Sequence, residues 1–326
     1  MQITSSVCLW SAVSGVPWAS ITPAVGQGSG TVVVTVQPNS AATPRTTTLS
    51  VAGNSIALSQ AAWTPPVDFN NDGRGDVVWQ HTDGRISVWL MDGLQMTSGT
   101  ALGQGAVSDA AWKIVGVWDP NGDGWPDLLW RHSVDGRLST WTMNGNQLVR
   151  GDLLSPSTVA DLNWKVVGIG DFNNDGRPDI LWQHDTEGWI SVWLMNGLSL
   201  ISGTLLTPSQ VADTSWKVVG SADFNGDGKS DIVWQHQTTG EASIWFMNGT
   251  QMTSGTLLSP AGVTDTSWKI RAITDVDRDG RPDLIWQNIS NGLLAAWLMN
   301  QTTRLDGVYL SPSQVPDTGW RIVGPR

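Results

Sequence analysis

From residue 67 to the end of the chain, apolar residues come in short runs separated by polar, glycine-rich segments. Four consecutive runs are WKVVGIG (164–170), DILWQH (179–184), WISVWLM (189–195) and LSLISGTLL (198–206). Each is rich in β-branched and aromatic residues and bounded by turn formers, which predicts strands. Asn196-Gly197, between the third and fourth runs, is the dipeptide of a two-residue hairpin turn. The unit then repeats. The first Asp after the opening run falls at 68, 119, 171, 223 and 275, a period of 52 with one spacing of 51. Tryptophan keeps step at 79, 130, 182, 234 and 286, at 89, 141, 193, 245 and 297, and at 112, 164, 216, 268 and 320. Four antiparallel strands at this period predict the blade of a β-propeller.

The blade count follows from the ends. Trp63-Thr-Pro-Pro-Val67, where a first strand would open the first unit, holds two prolines and pairs poorly. Trp320-Arg-Ile-Val-Gly324 is a fifth copy of the first strand with no unit behind it. The last strand is therefore expected to complete the first blade and close the ring, leaving no free edge. The expected fold class is all-β: a five-bladed β-propeller of four-stranded blades over 63–326, preceded by a small β-sandwich over 1–62. That opening segment lacks the period, and alternating runs such as TVVVTVQ (31–37) and TTTLSVAG (46–53) predict its strands.

Between strands one and two every unit carries an acidic segment: DFNNDGRGD (68–76), DPNGDGWPD (119–127), DFNNDGRPD (171–179), DFNGDGKSD (223–231) and DVDRDGRPD (275–283). Unpaired carboxylates at this density repel one another, and a divalent cation removes the repulsion. The spacing D-x-N-x-D-G matches the front half of an EF-hand loop, with a Gly at position 6 for the sharp turn. Position 12, a bidentate Glu in the EF-hand, is Trp in all five, and an Asp at position 9 stands in. Side-chain oxygens at positions 1, 3, 5 and 9 and the main-chain carbonyl at 7 would surround one hard cation. All-oxygen donors in a flexible loop favour Ca²⁺ over Mg²⁺. The candidate side-chain ligands are Asp68, Asn70, Asp72 and Asp76; Asp119, Asn121, Asp123 and Asp127; Asp171, Asn173, Asp175 and Asp179; Asp223, Asn225, Asp227 and Asp231; and Asp275, Asp277, Asp279 and Asp283. Arg74, Trp125, Arg177, Lys229 and Arg281 would contribute carbonyls. About five structural Ca²⁺ sites are expected.

The net charge of −11 argues against nucleic acid as a partner. It is also localised: the five loops hold 16 of the 29 acidic residues, so five divalent cations would cancel most of it. Cys8 is the one cysteine, which excludes an internal disulfide framework. No run reads as a transmembrane helix, so no membrane insertion is expected. MQITSSVCLWSAVSG shows no basic n-region or long apolar stretch, so no signal peptide is visible.

Asp-Phe-Asn-Gly-Asp-Gly-Lys-Ser-Asp followed by Ile-Val-Trp-Gln resembles the FG-GAP/VCBS repeats of integrin α-subunit propellers, propeller lectins and many secreted bacterial proteins. The resemblance covers about 67–326 and implies calcium on the loop positions named above. Asp277, in place of Asn at position 3, should strengthen binding. The opening segment resembles BACON-type bacterial immunoglobulin-like domains in Cys8-Leu-Trp10, Pro17-Trp18, the Gly-rich turn, Asn39, Arg45 and Gln60, with an early strand missing. That omission reads as a fragment of a longer protein, secreted or at the cell surface.

His81, His132, His184 and His236 share one repeat position, with Asn288 as the fifth. Spread over different blades without Cys or Glu at ligand spacing, they read as structural or turn-capping rather than zinc ligands or general bases. Arg74-Gly75-Asp76 spells an integrin-binding tripeptide, but its Asp is committed to calcium. The fifteen repeat tryptophans read as packing between blades, which leaves Trp189, outside the repeat, as the better sugar-stacking ring. Topology gathers Gln183, His184, Asp185, Glu187, Trp189, Ser209 and Gln210 at the face opposite the acidic loops, as low-affinity ligand-binding candidates repeated around the ring. No catalytic motif appears, so the chain is read as non-enzymatic. The expected function is recognition of glycans or a cell-surface protein, lectin-like or adhesive. The alternatives are a structural or protein-binding spacer and a module attached to a polysaccharide-degrading enzyme.

Overall fold

A computed structural model of the chain describes residues 2–3, 9–36, 45–60 and 67–326. Cys8, Asn39, the side chain of Gln60, the prolines after Trp63 and the expected boundary at 62/63 lie outside the described residues. The chain divides into two compact units, Met1–Thr64 and Pro65–Arg326. Every described element is a strand, so no helix is long and apolar enough to cross a membrane.

In the first unit, Val25–Gln27, Leu9–Ser14, Arg45–Val51 and Asn54–Gln60 form one sheet in that order, and Ala19–Thr22 pairs with Val33–Val36 in another. The run 31–37 is split: Gly30–Thr31 pairs with Gln2–Ile3, and Val32 leaves the ladder to join Trp10, Ala12 and Val51 in the core.

The second unit is the five-bladed ring. Blade two runs Trp112–Trp118, Asp127–His132, Arg137–Asn144 and Gln147–Thr158, each antiparallel to the next. Blades three, four and five repeat it over 164–210, 216–262 and 268–314. Blade one takes Val77–His81, Arg85–Asp92 and Gln95–Ala106, and Trp320–Gly324 completes it. Trp320 pairs with His81 and Ile322 with Trp79, so the fifth first-strand copy closes the ring.

First strands of neighbouring blades lie side by side around the axis. A five-membered ring is narrow there, and glycine makes room: a Cβ on Gly116 would come within 2.8 Å of Ile169 in the next blade. Second strands are buried along their whole length in blades two to five, as in Asp127–His132, because both of their faces meet a blade, and in blade one only His81 at the strand end is half-buried. Fourth strands are longer than the apolar pattern predicts. Ser199–Gln210 takes in residues expected to be loop, because the Thr207 N–H donates to the Thr250 carbonyl of the next blade at 3.0 Å. Ser155, Ser259 and Ser311 make the same rim bond at 2.8–2.9 Å.

Candidate metal loops and aromatic pockets

In every acidic loop the carboxylate at position 1 accepts the main-chain N–H of the Gly at position 6, at 2.7–2.9 Å. Those glycines have φ between +80° and +85°, a conformation other residues resist. The Asn at position 3 donates its amide to the Asp at position 5, at 2.9–3.3 Å in the four loops that have Asn. The side chains at 1, 3 and 5 thus turn inward over the loop.

The Asp at position 9 is fully buried in all five blades. One of its oxygens accepts the N–H of a third-strand methionine, Met91, Met143, Met195, Met247 or Met299, at 2.8–3.0 Å. The other accepts the N–H at loop position 2 in four blades. Blade two departs: position 2 is Pro120, which has no N–H, and Asp127 Oδ2 is left buried without a donor. Burial, with the neighbouring loop carboxylates pushing the same way, raises Asp76, Asp127 and Asp283 to about 7 and Asp179 and Asp231 to about 6. In the fifth loop one oxygen each from Asp275, Asp277 and Asp283 lie within 4.8 Å of one another. An all-oxygen, anionic, partly buried donor set of this kind fits a hard divalent cation. At position 7 the side chains differ: Arg74 reaches Asp92 at 3.3 Å and Arg177 reaches Asn196 at 2.8 Å, while Arg281 turns back onto the Asp279 carboxylate at 3.1 Å. The Arg-Gly-Asp tripeptide is not displayed, since the Asp76 carboxyl is buried.

At the opposite end the structure withdraws two predicted surface contacts. Gln183 is 1% exposed. Its amide donates to the Trp216 carbonyl at 2.9 Å and accepts the Val218 N–H at 3.0 Å, tying blade three to blade four. Gln80, Gln235 and Gln287 tie their own junctions in the same way. The junction from blade two to blade three has Arg131 instead. It donates to the Val159 and Asp161 carbonyls at 3.2 Å, while its Nε is buried without an acceptor. His184 is buried too: Nε2 lies 3.1 Å from the Asp161 carboxylate, Nδ1 accepts the Glu187 N–H at 3.2 Å, and its ring meets Trp164 edge-on. His81, His132 and His236 contact Asp317, Asp109 and Asp213 at 3.0–3.4 Å, and Asn288 donates to Asp265 at 2.9 Å. Gln183 and His184 are thus structural ties, because a second strand sandwiched between blades turns neither face to solvent. Main-chain N–H bonds first, and the His contacts after them, hold Asp109, Asp161, Asp213 and Asp317 below the usual carboxylate range. Of the remaining candidates, Asp185 pairs with Lys217 at 3.1 Å, Trp189 and Ser209 are half-buried, and Gln210 donates to the exposed Glu187's carbonyl at 2.7 Å.

Sequence reasoning missed the pockets between these ends. In blade two, Trp112, Trp130 and Trp141, one from each of the first three strands, line a cavity of about 580 Å³ with Val107, Asp109 and Ser139. Blade five forms one of about 180 Å³ from Trp268, Trp286 and Trp297 with Arg304 and Tyr309, and blade one a smaller one of about 90 Å³. Each second-strand Trp is buried and lies 4.7–4.9 Å from its third-strand partner, so packing does account for these rings. The indole N–H of Trp79, Trp130, Trp182, Trp234 and Trp286 nevertheless meets no acceptor. First-strand rings and most third-strand rings remain partly exposed. On the fourth strand, Leu153, Leu205, Leu257 and Tyr309 are 45–61% exposed. Their own 52-residue spacing, on a solvent face, was the available signal.

The FG-GAP-like repeat model matches residues 119–182, 171–234 and 223–286, together more than half of the chain. The BACON model, for a candidate N-terminal binding domain, matches 9–61. No curated protein sequence matches. Among solved structures, the nidogen/laminin complex is similar at 12% identity and a TM-score of 0.41, over 74% of this chain and 95% of that one. Virginiamycin B lyase from Staphylococcus aureus is similar at 12% identity and 0.37, over 92% and 85%. A protein of unknown function from Bacteroides caccae is similar at 10% and 0.38, over 72% and 93%. At these scores the likenesses add nothing to the strand ladders and say nothing of activity. With its loops built alike in five blades and its repeats matched across 119–286, the chain belongs to the FG-GAP-like repeat family.

Proposed function

We propose that this chain is a calcium-stabilised extracellular recognition module that binds carbohydrate. The observation that carries it is the three-indole pocket, found in at least three blades, with a buried N–H lacking an acceptor in every blade. A sugar ring offers an apolar C–H face for indole and hydroxyl oxygens for its N–H. The blade-two cavity falls within the roughly 300–1,000 Å³ of small-molecule sites. Equivalent pockets on one ring gain avidity for multivalent glycans. We assign the chain no catalytic step.

In each loop the side chains at positions 1, 3, 5 and 9 would hold the Ca²⁺, which supplies neutralising charge beside the position-9 carboxyl that burial raises above the usual range. Asp127 Oδ2 is the oxygen most in need of it. The test is a high-density glycan array with calcium-loaded protein, followed by Tyr309→Ser in the blade-five pocket and Trp141→Ala in the blade-two pocket. Binding to a related set of sugars, weakened by these changes, supports the proposal. A blank array with folded protein overturns it in favour of a structural or protein-binding module. Retention that responds only to Trp189→Ala moves the site to the surface of blade three around Trp189.

A further inference from the structure

The pocket of blade five breaks its own repeat at three of the residues that line it. Where the other blades carry Met96, Leu148, Leu200 and Met252, blade five carries Arg304. Where they carry Ala101, Leu153, Leu205 and Leu257, it carries Tyr309. Directly across the ladder from Tyr309, Ala295 replaces Ser87, Ser139, Ser191 and Ser243. Each of those serines donates its hydroxyl to a fourth-strand carbonyl at 2.8–2.9 Å, a bond that alanine cannot make. Ala295, Arg304 and Tyr309 line one cavity with Trp268, Trp286 and Trp297.

The apolar residues that Arg304 replaces pack against the clusters between blades. Arg304 is exposed, and its guanidinium carbon lies 4.9 Å from the centre of the Trp297 ring. Two other arginines stack on pocket tryptophans, Arg85 on Trp320 and Arg137 on Trp112. Both are neutralised locally, by Asp83 at 2.9 Å and Asp135 at 2.8 Å. Arg304 forms no ion pair among the described residues. Asp306, two positions on, instead accepts the Gly307 N–H at 2.7 Å. No acid lines the blade-five cavity, whereas Asp109 lines that of blade two.

A guanidinium stacked on an indole keeps its in-plane N–H donors free, and their fork matches an oxyanion. The Trp286 indole N–H, buried without an acceptor, and the Tyr309 hydroxyl add neutral polar contacts in the same cavity. We propose that the blade-five pocket selects an acidic sugar, whose carboxylate or sulfate ester sits on Arg304 while its ring stacks on the indoles. The inference rests on the carbohydrate reading of the pockets and makes Arg304 the residue that sets specificity in one of them. The other blades, with Met or Leu at this position, are left to neutral sugar surfaces.

The experiment titrates the calcium-loaded chain with methyl glucoside, methyl glucuronide and glucose 6-sulfate at constant ionic strength, by ligand-observed NMR. An acidic sugar should bind at least about tenfold more tightly than methyl glucoside, or 1.4 kcal/mol. Whichever acidic sugar binds more tightly names the anionic group. Arg304→Met, which installs the residue of blades one and four, should bring the acidic sugars down to the level of methyl glucoside and leave methyl glucoside binding unchanged. Arg304→Lys keeps a charge without the fork and should retain part of the preference. In the unsubstituted protein the preference should shrink as sodium chloride is added. Equal binding of neutral and acidic sugars, or a preference that survives Arg304→Met, overturns this inference and leaves the carbohydrate reading standing. Binding of none of the three, with a blank glycan array, overturns both.

Discussion

Both ends of a blade are fastened by an aspartate that ties a turn to a strand, but the two ends treat its charge in opposite ways. At the loop end, Asp231 is fully buried, accepts the N–H groups of Phe224 and Met247, and has Asp223 and Asp227 as charged neighbours. At the other end, Asp213 lies at the surface, accepts the Ser215 N–H and contacts the His236 ring at 3.0 Å. Burial raises the first carboxyl to about 6, while hydrogen bonds hold the second low. One end gathers like charges around a buried carboxyl, and the other carries a partner in its own repeat. The same repeat can therefore raise one carboxyl and lower another at its two ends.

The comparison breaks most directly under chelation. If the loops hold Ca²⁺, removing it should lower the melting temperature by more than about 10 °C, since five folded-state sites are lost at once. Identical melts with and without chelator would erase the difference between the ends. Next in size, Asp231→Ala strands two buried N–H groups and should cost about 2–5 kcal/mol in denaturant titration. The calcium response should shrink with it.

The pH response separates the ends by sign. In chelated protein the position-9 carboxyls have folded pKa values near 6 to 7, above the 3.8 of a free Asp. Their stabilisation is fully present below the unfolded value and is lost as pH rises through the folded one. The surface aspartates at the other end have depressed values, so theirs is present above the unfolded pKa and lost only in acid. Chelated protein should thus melt highest at about pH 4 and progressively lower towards pH 7, with Ca²⁺ flattening the decline. A chelated melting curve that climbs over this interval would contradict the loop assignment.

His236→Ala should cost about 1 kcal/mol and leave the calcium response unchanged, which sharpens the contrast. The smallest effect is a gain. Arg131→Gln restores the inter-blade tie found at the other junctions and removes a buried unpartnered Nε, so stability should rise by about 1 kcal/mol. A fall would mean that the Arg131 stack on Trp182 outweighs the tie.

The periodic parts of this molecule were legible in its sequence. The 52-residue register of Asp68 to Asp283, the hairpin turns and the spare strand at 320–324 report local spacing, and the ladders follow them. Partners across a blade junction were not legible. Gln183 reads as polar and therefore surface-seeking, yet its hydrogen bonds come from Trp216 and Val218, which belong to the next blade. The same blindness hid the cavities, because Trp112, Trp130 and Trp141 come from three different strands and only folding brings them together. The Arg131 and Pro120 departures are visible as breaks in the repeat, but their cost appears only once the groups they leave unpaired are known to be buried.

Ring closure also sets an order in time. Trp79 pairs with Ile322, roughly 240 residues later, and a loop of that length costs about 5 kcal/mol in chain entropy to close. As the chain emerges from the ribosome, blades two to five receive their strands in sequence, while the first blade offers an open edge until residues 320–324 appear. Closure of the ring is thus gated by that strand, and the exposed edge is where a nascent chain is most open to mispairing. Once fastened, the same clasp works in reverse. No blade peels from an end, so the ring should come apart slowly and as a whole, with a lifetime governed by its unfolding barrier.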